Sequence, residues 1–158
     1  MSMIGQMVQV PPEELSGLGG DPDAINDLLM GGGGYSLEKM WQALHVMLTG
    51  DPEMGGDPPL AWAILGNEEI GEDLGYGPAR FLTPDEVQEV AAALAGVTHE
   101  DMKEGFDPKQ LEESDLYPDI ADEDPDELFD ELMIYFDGLV EYYSAAAESG
   151  NAMLLAIT

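Results

Sequence analysis

The stretch from Asp126 to about Ser149 leaves the chain the least freedom. Leu128, Phe129, Leu132, Tyr135, Phe136, Leu139, Val140, Tyr142, Tyr143 and Ala146 recur at helical spacing and cover nearly half the circumference of one long helix. Asp124-Pro125 opens that helix and Gly150 stops it. So wide an apolar face has to be buried against two layers. Asp130, Asp137, Glu141 and Glu148 fall on the opposite side and read as solvent face.

The partners for this helix are found at both ends of the chain. Met3 to Val10 is apolar on both parities, Ile4, Val8 and Val10 on one and Met3 and Met7 on the other, as suits a strand covered on two faces. Pro11 and Pro12 end it. Ala152 to Ile157 forms a terminal strand after Gly150. Neither strand is stable alone, so the two are expected to share one small sheet with several helices packed around it. The fold class is α+β, with residues 1–158 a single domain, in keeping with a length of 158 residues and 44% hydrophobic content.

The connecting segments carry clear start and stop signals. Glu13 to Leu18 and Asp21 to Met30 read as short helices, the second entered through Asp-Pro, and Gly31 to Gly34 breaks the pattern. Ser36 is placed as the cap of a helix with Leu37, Met40, Trp41, Leu44 and Leu48 on one face, closed by Gly50. A short apolar helix spans Pro58 to Leu65. Gly71 to Leu82 is glycine-punctuated, with Ala79 to Leu82 extended. Thr83 with Glu86 forms a capping box before Val87, Val90, Ala91 and Leu94. Thr98 with Asp101, then Asp107-Pro108, open two further helices, and the carboxylate-dense run 119–127 reads as a solvated loop running into the helix cap at Asp124-Pro125.

Charge excludes more than any motif. Thirty-four acidic residues stand against 4 basic ones, a net charge of -30. Nucleic acid and anionic lipid are therefore excluded as direct partners, because phosphate contacts need Lys and Arg clusters. A chain without Cys has no disulfides, thiolate metal sites or cysteine nucleophile. The N-terminus lacks a basic n-region, and no run approaches the roughly 18 apolar residues of a membrane span, so a cytoplasmic location is expected. No phosphate-loop, nucleophile-elbow, zinc-protease or dinucleotide motif is present, and the acidic run lacks the spacing of a calcium loop. No metal or cofactor is expected.

Several strings then point to one family. Met1-Ser2-Met3-Ile4-Gly5, Trp41-Gln42-Ala43-Leu44-His45 with Leu48-Thr49-Gly50, Pro59 to Gly66, Gly75-Tyr76-Gly77-Pro78-Ala79-Arg80-Phe81-Leu82-Thr83-Pro84, Phe106-Asp107-Pro108 and Tyr117-Pro118 stand in this order. With the C-terminal Gly-x-Ala-Met-Leu, the chain resembles the YfbM-like family over essentially its whole length. The resemblance implies a bacterial α+β domain of unknown function and carries over no catalytic residue. After Tyr117-Pro118 the chain departs from the family pattern: a tryptophan is expected near Ile120, and Ala121 and acids follow instead.

Glu38, Gln42, His45 and Thr49 form a strip beside the apolar face of the helix capped by Ser36, with His45 one turn after Trp41. Such a histidine is most often a satisfied core residue, and Trp41, Trp62, Tyr135, Tyr142 and Tyr143 read as core. Arg80, the only arginine, suits an ion pair tethering the preceding turn to an acidic helix, or a clamp on a carboxylate or phosphate. Trp41, His45, Thr49, Tyr76, Arg80 and Tyr117 are the binding candidates. The reading favoured is a non-enzymatic binding or regulatory protein, monomeric or weakly dimeric, immunity or antitoxin-like toward a basic protein in its most specific form. The alternatives are a small-pocket enzyme using His45, Tyr76 and Arg80, and an acidic surface that serves only solubility or high salt.

Overall fold

A computed structural model describes residues 4–31, 33–50, 56–73, 77–107, 109 and 124–158. The strands at the two ends of the chain do pair. Strand β1 (Gly5–Val10) runs antiparallel to β5 (Ala152–Ile157) with Gly5 opposite Ile157 and Val10 opposite Ala152. Ile4 and Thr158 extend the ladder by exchanging hydrogen bonds of 2.8 and 3.0 Å. With β2 (Tyr35–Glu38), β3 (Glu68–Asp73) and β4 (Pro78–Leu82), they make one five-stranded sheet in the order β2-β1-β5-β4-β3, antiparallel throughout. The terminal strand β5 is thus the centre of the sheet.

Its two parities face two cores. Met153 and Leu155 join Met7 and Leu82 on one face, beneath α3 (Trp41–Thr49), α4 (Trp62–Leu65), α5 (Pro84–Ala95), α6 (His99–Glu104) and α7 (Pro125–Ser149). Leu154 and Ala156 join Val8, Val10 and Ala79 on the other, beneath α1 (Pro12–Leu18) and α2 (Pro22–Met30). Helix α7 packs along α5 and against α3 and β2. Leu128, Leu132, Phe136, Leu139, Tyr143 and Ala146 of its wide face are buried, and Asp130, Asp137, Glu141 and Glu148 are exposed. This is an α+β fold.

Local cap chemistry explains most boundaries. Asp21 Oδ1 accepts from Ala24 N, and full capping boxes at Thr83/Glu86 and Thr98/Asp101 open α5 and α6. Gly50 and Gly150 end α3 and α7 in the left-handed region, with φ of 75° and 69°. The Ser36 helix start is overturned. Tyr35–Glu38 is a strand on the outer edge of β1, and the Ser36 hydroxyl accepts from Glu38 N at 3.0 Å, so its capping ability stabilises a turn. Helix α3 begins at Trp41, which removes Glu38 from the expected strip.

Strand β3 had no sequence signal of its own. Glu-Glu-Ile-Gly-Glu-Asp has one apolar side chain, as an edge strand that needs little burial allows, and its carboxylates discourage pairing with another chain. The expected helix at Asp107-Pro108 and the acidic stretch 119–123 lie outside the described residues.

Candidate functional site

Three of the six binding candidates share α3, and they point inward. Trp41 is 5% exposed and lies so close to Gly5 of β1 that a Cβ there would meet Trp41 Cβ at 2.6 Å. His45, one turn on, is wholly buried. Thr49 is half-buried, and its hydroxyl donates to the His45 carbonyl at 2.8 Å. The sequence pattern assigns α3 one buried face, whereas Ala43, Val46 and Met47 are buried as well, so this helix is enclosed nearly all round.

Arg80 sits elsewhere, on β4. It stands opposite Glu69 of β3, and its Nη2 lies 3.8 Å from Glu69 Oε1, with 43% and 62% of the two side chains exposed. The tether therefore runs to a neighbouring strand, not to a helix, and a pair this open adds little stability. Tyr76 and Tyr117 lie outside the described residues.

A second cluster joins β2 to α7. The Tyr35 hydroxyl donates to the Tyr135 carbonyl at 2.8 Å, and its ring stacks on Tyr142 at 5.9 Å between centroids. Gly138 gives the Tyr35 ring its room, because a Cβ there would collide with it. The Tyr142 hydroxyl accepts from Gln9 N at 2.9 Å, and the Tyr143 hydroxyl donates to the Ala63 carbonyl at 2.6 Å. Burial, then Tyr135, Asp137 and Glu141, push Tyr35 up to about 12. Burial, then Glu38 and Glu131, raise Tyr135, while Tyr142 is raised by burial against the lowering effect of the bond from Gln9. These phenols stay protonated at neutral pH and act as donors and packing groups, not as bases.

The DUF1877 family, described as a domain of unknown function, matches residues 1–156. The chain belongs to this family. It is 30% identical to Protein YfbM of Escherichia coli strain K12 over 171 aligned residues, covering 99% of both chains. The crystal structure of YfbM from Escherichia coli, itself described as a protein of unknown function, superposes with a TM-score of 0.81. In that alignment 25% of residues are identical, across 99% of this chain and 100% of the other. Family membership thus fixes the fold and leaves the activity open.

On this DUF1877 domain, one pair escaped the sequence reading. His99 Nε2 and Asp137 Oδ1 lie 2.6 Å apart at the surface, and the His99 ring meets the Phe136 ring edge-on at 6.1 Å. Asp137 was legible as solvent face; that a residue 38 positions earlier would reach it was not. Asp137 and Glu141 act on the Tyr35 phenol, Glu38 and Glu131 act on that of Tyr135, and Ile134 on the same helix is 72% exposed. Among the described residues no group of three or more His, Asp or Glu could hold a metal ion, and no helix is long and apolar enough to cross a membrane.

Proposed function

We propose that this chain is a non-enzymatic binding or regulatory domain that takes a basic protein on its acidic surface, with an immunity or antitoxin-like protein as its most specific form. The observation that supports the reading is unneutralised charge. Against 34 acids the chain has 4 Lys and Arg, and the Arg80–Glu69 ion pair and the His99–Asp137 contact, both between described residues, are exposed. A surface of one sign attracts the opposite sign over about a Debye length, roughly 8 to 10 Å at moderate salt, and speeds encounter. Ile134 is 72% exposed, and its half-buried neighbour Tyr135 feels the Glu38 and Glu131 charges, which puts apolar surface beside carboxylates.

The test is capture from native lysate at low salt on the immobilised chain, followed by association kinetics with the purified partner. One basic protein bound tightly, with an association rate that falls steeply as salt is added, supports the reading. Equal, weak binding to any basic protein, lysozyme-like or histone-like, overturns it and leaves the acidic surface to solubility.

A further inference from the structure

We propose that the groove between α1 and α2 is a socket for a lysine or arginine side chain on a partner protein, an assignment that rests on the basic-partner reading above and gives it a place. The groove has a volume of about 480 Å³ and is lined by Gly17, Leu18, Ala24 and Leu28 together with the exposed residues Glu13, Glu14 and Asp27. Apolar lining beside three carboxylates suits one kind of side chain. The methylene stem of Lys or Arg lies along Leu18 and Leu28 while the cationic head reaches the carboxylates. An apolar ligand without charge would desolvate carboxylates and return nothing to them.

Gly17 is the second observation. It is the exposed penultimate residue of α1. A Cβ at this position would meet nothing within 4 Å. Among the described residues no group requires the gap, which leaves room for a backbone or side chain arriving from outside.

The chain also carries an internal precedent. Phe106, Phe129, Asp126 and Asp130 line another groove, of about 420 Å³, where two aromatic rings stand beside two carboxylates. Lys103 of the same chain lies there, its Nζ 5.8 Å from the centre of the Phe129 ring. Among the described residues no Lys or Arg lines the α1/α2 groove. The groove of Pro58, Pro59, Trp62 and Ala92 has a single carboxylate, Glu89, and matches a cation less well.

The experiment titrates the labelled full chain with a short helical peptide carrying Leu and Lys one turn apart, followed by amide chemical shifts. Shifts should centre on Gly17, Leu18, Ala24 and Leu28. Gly17→Trp, which fills the groove, and the combined Glu13→Gln, Glu14→Gln, Asp27→Asn variant should each weaken binding at least about tenfold. A charge-matched control at exposed sites, Glu68→Gln, Glu72→Gln and Glu148→Gln, should change it by less than about threefold. If the two neutralised triples weaken it equally, or shifts spread evenly over the acidic surface, the socket is wrong while the basic-partner reading stands. If the native chain does not bind the peptide at low salt, the socket is again wrong. Only failure of lysate capture as well removes the broader reading.

Discussion

Tyr143→Phe should destabilise the protein by about 1 to 3 kcal/mol, the cost of leaving a buried acceptor without its donor. The acceptor is the Ala63 carbonyl in α4, a helix of four residues, Trp62–Leu65. In a longer helix Asn67 N would serve that carbonyl, but here it turns to Phe81 O of β4 at 3.4 Å. The hydroxyl of Tyr143, from α7, takes its place at 2.6 Å. Ala63 and Tyr143 are both fully buried, so water is poorly placed to substitute. Phenylalanine fills almost the same volume, which keeps any cavity contribution small. At about 2 to 4 °C per kcal/mol for a chain of this size, the melting temperature should fall by roughly 2 to 12 °C. Urea unfolding and calorimetry measure both, with Tyr135→Phe as the half-exposed control expected to stay within about 0.5 kcal/mol. A Tyr143→Phe loss no larger than that of the control would refute the claim that this one hydroxyl completes α4.

Three further outcomes are open to measurement. Leu132→Ala and Phe136→Ala should each cost on the order of 2 to 5 kcal/mol in urea unfolding, and losses below about 1 kcal/mol at both would mean that the wide face of α7 is not in the core. Tyr35 is raised from 10.0 to about 12 in the folded chain, so its contribution to stability is complete below pH 10 and is lost as pH climbs through 12. Tyr35→Phe should flatten that alkaline loss; an unchanged profile would show that this phenol titrates normally. Melting temperature should rise with ionic strength and with millimolar Ca²⁺, as screening relieves repulsion among the carboxylates, and a flat response would show that the charge is already compensated within the fold.

The fold was legible wherever a local rule and the global requirement agreed. β1 and β5 announced themselves by being apolar on both parities, and Thr83, Thr98, Gly50 and Gly150 marked ends that the backbone respects. Ser36 failed because the same hydroxyl chemistry that caps a helix also closes a turn, and the decision fell to the unpaired edge of β1. β3 failed because pairing with β4 supplies what its side chains do not. Of the binding candidates, spacing placed Trp41, His45 and Thr49 on one helix, but burial nearly all round α3 depends on elements distant in sequence. The encounter of His99 with Asp137 is invisible for the same reason.

The carboxylates divide by what the fold gains from them. Asp21, Thr83-linked Glu86, Asp101 and Asp124 cap helix starts, and Asp23, Asp85, Glu100 and Asp126 stand in first turns, where a negative charge meets the positive end of the helix dipole. On β3, Glu68, Glu69 and Glu72 protect an edge. Glu13 and Glu14 serve the start of α1 and line the groove as well. Glu148 is different, being an exposed acid in the last turn of α7, where the dipole makes a negative charge unfavourable by about 0.3 to 1 kcal/mol at low salt. Glu131 and Glu141, on the same helix, raise neighbouring tyrosines through their charge and have no cation beside them among the described ion pairs. None of these three caps a helix start or guards a strand edge. Their charge therefore answers to what lies outside the chain, water and salt on one account and a basic surface on the other, and the salt dependence of association with a single partner separates the two.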